Sequence, residues 1–169
     1  MKLAVTDACI FIDLYELQLT SKFFQLNLEL HTSLDVFNEL YDEQQELLRA
    51  FEISNKLVLH NITESDRVEI NKIESLKGLS ISDRTALYVA DKIGAIVISS
   101  DKAVRKQARK QCIEYHGMLW VFDQLVDQGI IEGSQAISKL KHLILTNIIY
   151  QNNSELRTEL SKRIKLWGS

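Results

Sequence analysis

The sequence predicts an α/β fold with a mostly parallel central sheet and a helical C-terminal tail. Three observations carry this. Short apolar runs at 3–6 and 95–99 read as buried strands, stretches of helical periodicity alternate with them, and acidic residues stand where the strand runs end. The chain has 169 residues, 46% hydrophobic and 25% charged, which suits a folded domain with one core rather than a disordered segment. A formal net charge of -3 excludes a globally basic surface, so any nucleic-acid role rests on a local patch.

The elements follow in order. Residues 3–6 form the first strand, and residues 8–19, with Ile12, Leu14, Tyr15 and Leu17, a helix. A second strand falls at 30–32. Ser33 caps a helix in which Leu34, Phe37, Leu40, Tyr41, Leu47 and Leu48 share a face. Residues 56–60 make a third strand, and 65–76 a helix that Gly78 breaks. Ser82 caps the next helix with Asp83 in its first turn, and Gly94 ends it. Ile96, Val97 and Ile98 mark the clearest buried strand; 102–110 is a basic helix and 112–115 a fifth strand. From Met118 the pattern is helical, broken at Gly129, Gly133 and Asn152–Asn153. The domain ends near residue 133, and 134–169 is a helical extension that packs on it or on a second copy of the chain.

Cys9 and Cys112 sit in apolar surroundings without metal-ligand spacing, which reads as two buried, reduced thiols in a cytoplasmic protein. Asp7 and Asp13 interrupt what would be the apolar core of a secretion signal, and no uncharged run is long enough to span a bilayer.

Asp7, Glu39, Asp83 and Asp101 stand at the expected starts of successive helices, with Asp7 and Asp101 beyond strand ends. Ligand sites of parallel sheets form at those ends. Two carboxylates about 4 Å apart repel by roughly 4 kcal/mol at an effective dielectric near 20, so a cluster requires a proton or a cation. Oxygen-only donors suit Mg²⁺ or Mn²⁺, and such an ion activates water and polarises a phosphoryl oxygen. Capping and the helix dipole explain each acid taken singly.

Four segments together resemble the PIN-domain family. They are Asp7-Ala8-Cys9-Ile10-Phe11-Ile12, the stretch from Ser33 to Leu40 containing Glu39, Leu79-Ser80-Ile81-Ser82-Asp83-Arg84-Thr85-Ala86-Leu87, and Ile96-Val97-Ile98-Ser99-Ser100-Asp101. Tyr115-His116-Gly117-Met118-Leu119-Trp120 is similar to a segment of VapC-like prokaryotic ribonucleases. Cys9 stands where Asn or Ser is frequent, and Ser99 where Thr is usual. The resemblance implies a three-layer α/β/α endoribonuclease that uses Mg²⁺ or Mn²⁺, with Asp7, Asp83 and Asp101 as ligands, Glu39 bound directly or through water, and Ser99 orienting the site. It also implies RNA as substrate and, for a toxin, a small antitoxin as partner.

Lys102, Arg105, Lys106, Arg109 and Lys110 begin one residue after Asp101, and a phosphate-gripping face is weighed there against a solvated helix surface. Arg84 is weighed between substrate phosphate and a neighbouring acid, with the acid pair favoured, and the four histidines show no partner by spacing. Two other classes compete. A PIN-like module that binds RNA or protein without cutting would tolerate loss of acids, yet all four are present. A phosphotransfer protein would need a second Asp where Cys9 stands, or an acid where Thr6 stands and a Lys near Tyr115-His116-Gly117.

Overall fold

The computed structural model describes all 169 residues, which divide into two compact units. The first comprises Met1–Ile12 and Asn27–Met118 and carries a five-stranded sheet: β1 (Lys2–Thr6), β2 (Leu28–Ser33), β3 (Leu57–His60), β4 (Ile96–Ile98) and β5 (Tyr115–His116). The spatial order is β3-β2-β1-β4-β5, and every pairing is parallel. The chain first winds outward from β1 to β3, then returns to the other side of β1. The junction of β1 and β4 is thus the point where winding reverses, the place at which open parallel sheets form a crevice beyond their carboxyl ends.

Burial explains why the two middle strands read as apolar runs. Ala4, Val5, Val97 and Ile98 are all fully buried, as strands covered on both faces must be. The connecting helices are α1 (Ala8–Glu16), α2 (Thr20–Phe23), α3 (Leu34–Asn38), α4 (Asp42–Ile53), α5 (Glu64–Asn71), α6 (Ile81–Ile93) and α7 (Lys102–Lys110). Thr63 caps α5 by accepting from Asp66 N through Oγ1, and Thr63 N donates back to Asp66 Oδ2. Helix α6 ends at Gly94, whose φ of 69° is left-handed, so that Ala95 N can close onto Ala90 O at 2.9 Å and turn the chain into β4.

Several element expectations need correction. The helix after Ser33 is two helices, because Glu39 and Leu40 close turns onto Val36 O and Phe37 O and Tyr41 restarts the helix with extended backbone. The single helix expected at 65–76 is α5 followed by a 3₁₀ turn, Glu74–Leu76. Ser80, not Ser82, caps α6, and Ser82 is buried within the first turn. The fifth strand starts three residues late, at Tyr115, because Cys112 adopts a φ of 57° in an exposed turn. Cys112 is therefore not the buried thiol expected.

The second unit comprises Asp13–Leu26 and Leu119–Ser169, with most of α8 (Met118–Asp127), then α9 (Gly133–Thr146), α10 (Ile148–Gln151) and α11 (Ser154–Trp167). Arg163 on α11 grips Asp123 on α8 with two bonds of 2.8 Å, a bidentate pair that sets the relation of those helices. Gly133 opens α9 against the end of α11, where a Cβ would stand 2.9 Å from Trp167 O. No helix is long and apolar enough to cross a membrane.

Gly94→Ala forces a left-handed conformation on a residue with a Cβ, and is expected to lower unfolding free energy by about 1–2 kcal/mol in urea titrations.

Candidate metal centre

Asp7 leaves the end of β1 directly into α1, and its backbone N reaches Ile98 O of β4 at 3.3 Å. The carboxylate is 1% exposed. Its Oδ2 accepts from Ser99 Oγ, and its Oδ1 accepts from Ile10 N at 3.2 Å and Cys9 Sγ at 3.0 Å. Ser99 is itself fully buried, and its Oγ also accepts from Asp101 N at 3.0 Å. One hydroxyl therefore joins the ends of β1 and β4 and fixes the turn that presents Asp101. Asp101 caps α7 by accepting from Val104 N at 3.0 Å through Oδ1.

Asp83 sits in the first turn of α6, and its backbone N donates to Ser80 Oγ at 3.2 Å. Beneath it, Thr85 Oγ1 donates to Ser82 O and meets Ser33 Oγ, both at 2.7 Å, while Ser33 accepts from Val36 N and caps α3. Buried hydroxyls thus lock the starts of α3 and α6 together. Glu39 is the residue that ends α3, so it does not open a helix as the sequence pattern suggested.

The electrostatics link these acids. Burial raises the pKa of Asp7 to about 6, with hydrogen bonds from Cys9, Ser99 and Ile10 opposing and the charge of Asp83 adding to the rise. Burial also raises that of Asp83; the Ser80 hydrogen bond opposes, and the charges of Asp101 and Glu39 add. Asp83 is thereby the hub of a common field: it acts on Asp7, and Asp101 and Glu39 act on it. The donor set is carboxylate oxygen, the chemistry a hard divalent ion takes. The side chains, however, do not gather three ligands onto one point. Asp7 and Asp101 are each turned to hydrogen bonds of their own. Two buried polar atoms nearby in the chain, Thr6 Oγ1 and Arg105 Nε, have no partner, which marks polar capacity that the protein alone leaves unmet.

The basic run lies on α7, immediately after the Asp101 cap. Lys102, Lys106, Arg109 and Lys110 are exposed, whereas Arg105 is half-buried with its guanidinium 5.3 Å from the Tyr115 ring centre. Arg84 departs from expectation: it donates to Leu79 O at 2.9 Å and Lys77 O at 2.8 Å, closing the loop before α6 rather than pairing with an acid. Spacing along the chain suggested no partner for any histidine, and the fold supplies one, since His31 and His60 touch.

A family model described as a PIN domain (DUF3368) matches residues 3–164. The chain belongs to the PIN-domain family, and its parallel sheet with flanking helices is the three-layer α/β/α, nuclease-like fold of that family. No curated protein matches the chain.

The folded pKa of Asp7 exceeds the ordinary 3.8, so the stabilising contribution of its protonated form is complete below about pH 4 and is lost as pH rises through about 6. Roughly two pK units correspond to about 3 kcal/mol. In chelator, Asp7→Asn should flatten the fall in stability between pH 4 and 7 and exceed wild type above pH 6 in urea midpoints. Ser99→Ala removes a bond that favours the carboxylate, so a carboxyl NMR titration should find Asp7 protonated to still higher pH.

Proposed function

We propose that the chain is a Mg²⁺- or Mn²⁺-dependent endoribonuclease. The single observation that supports it most is the connection from buried Asp7 through buried Ser99 to the amide of exposed Asp101 at the winding reversal, with Asp83 acting on Asp7 and Glu39 acting on Asp83. A carboxylate kept out of water at a cost, beside other carboxylates, is poor design for stability and suits a cation site. Asp7, Asp83 and Asp101 would hold the ion, with Glu39 as a direct or water-bridged ligand. When bound, such an ion lowers the pKa of a water and neutralises charge on the phosphoryl group. Ser99 holds Asp7 and the Asp101 turn in fixed relation. Lys102, Lys106 and Arg109 offer positive charge to the phosphates on either side of the scissile bond, and Arg105 offers a guanidinium already steadied by Tyr115. In this reading the substrate is RNA, and the toxin role brings a small antitoxin as inhibitor; a second copy of the chain is the proposed homodimer partner.

One observation favours a second reading, a non-catalytic PIN-like module that binds RNA or protein: the acids do not converge on one point with their present side-chain directions. Calorimetric titration with Mn²⁺ separates the two, since the module should bind none at the acids.

Purified protein with Mn²⁺ should cleave members of a broad single-stranded RNA panel, and excess EDTA should stop it. Asp101→Asn keeps a residue competent to cap α7, so its circular dichroism should match wild type while cleavage falls by about 10²-fold or more. An intact, Mn²⁺-binding wild type that cuts nothing in the panel would refute the nuclease reading.

A further inference from the structure

Strand β2 places Glu29 and His31 two residues apart and so on one face of the sheet. The parallel register sets His31 beside Val58 and Ser33 beside His60, which puts His60 one diagonal step from His31 on that same face. His31 Nδ1 lies 2.8 Å from His60 Nε2, and His31 Nε2 lies 2.9 Å from Glu29 Oε1. The two rings are tilted by 32° with centroids 5.1 Å apart. His31 is buried, while His60 is half-buried on an edge strand and Glu29 is exposed, so the cluster has a route to solvent.

The connectivity is what a metal-binding histidine needs. A carboxylate on Nε2 keeps a proton there and leaves Nδ1 to offer its lone pair, the outer half of a carboxylate–histidine–metal arrangement. Around a tetrahedral ion with bonds of about 2.05 Å, two imidazole nitrogens stand about 3.3 Å apart. The observed separation of 2.8 Å reaches that value with small rotations of the two rings. Burial, then the charges of His31 and Lys92, push the His60 pKa down, which favours the neutral form that ligates. Lys92 is the one opposing cation, and it is drawn toward Asp66 Oδ1 at 3.5 Å.

We propose that His31 and His60 bind one borderline divalent ion of the Zn²⁺, Co²⁺ or Ni²⁺ class, with Glu29 orienting His31 and water completing the coordination shell. Imidazole selects such ions, whereas carboxylates take Mg²⁺ or Mn²⁺. The site stands independently of the nuclease reading. Bound metal would tie the edge strand β3 to β2 more firmly than the hydrogen bond it replaces.

The test is calorimetric titration of the full chain with Zn²⁺ against a large excess of Mg²⁺, which competes for oxygen donors and leaves imidazole free. One Zn²⁺ should bind at micromolar concentration. Glu29→Gln should weaken it about tenfold and His60→Gln about 100-fold or more. In the wild type, ¹⁵N resonances of His31 Nδ1 and His60 Nε2 should shift with the same stoichiometry, a readout that holds even where a variant fails to fold. Absence of Zn²⁺ binding, unchanged affinity in folded His60→Gln, or imidazole resonances that do not move would each overturn the proposal.

Discussion

The Ser99 hydroxyl between Asp7 and the amide of Asp101 is the constraint on which the rest of the site depends. It sits where β1 and β4 run side by side and the winding of the sheet reverses. Without a donor at that position, a carboxylate with almost no exposure would face apolar strands with one bonded oxygen. An unsatisfied buried charged acceptor costs more than the roughly 1–3 kcal/mol of a neutral one. The bond therefore makes the buried acid tolerable, and at the same time it sets the direction in which Asp101 leaves β4.

The same economy recurs one strand away. Ser33, Ser82 and Thr85 are all buried, and their hydroxyls serve one another and the first turns of α3 and α6. Polar side chains placed under a carboxylate site hold its supports rigid, and a rigid support is what lets like charges be kept in one field rather than splayed into solvent. Burial and neighbouring charge push the pKa of both Asp7 and Asp83 upward, the direction that a remaining penalty on the charged forms gives.

Much of this was legible in the sequence, for physical reasons that can be named. Strands β1 and β4 are buried on both faces, so their apolar runs stand out, and an acid directly after each is conspicuous. Gly94 and Ser33 announce a helix end and a helix start through backbone chemistry that few other residues supply. The break between α3 and α4 was hidden because Leu34 to Leu48 keeps helical spacing while the interruption at Glu39–Tyr41 uses neither Gly nor Pro. Arg84 was misread because its partners are carbonyls, and backbone acceptors leave no trace in side-chain spacing. The pairing of His31 with His60 was invisible for a related reason: Glu29 and His31 show their alternation, but the third member arrives only through the register of β2 against β3.

That difference in legibility separates the two polar clusters by more than position. The acids are spread along the chain at strand and helix ends, where each has an ordinary capping or dipole role and their joint action appears only in the shared field. The imidazole pair is held by strand register, so its geometry is set by backbone hydrogen bonding rather than by side-chain preference. A hard ion held at the acids would compete with hydrogen bonds that Ser99, Ile10 and Val104 already make, and would have to reorient carboxylates. A borderline ion at His31 and His60, as proposed, would displace one hydrogen bond and find its outer carboxylate in place. If both proposed sites bind metal, ligand type and metal availability would sort the ions, since imidazole suits Zn²⁺, Co²⁺ or Ni²⁺ and carboxylate suits Mg²⁺ or Mn²⁺. The same sheet thus carries the acids near its winding reversal and the proposed imidazole site on β2 and β3 at its edge.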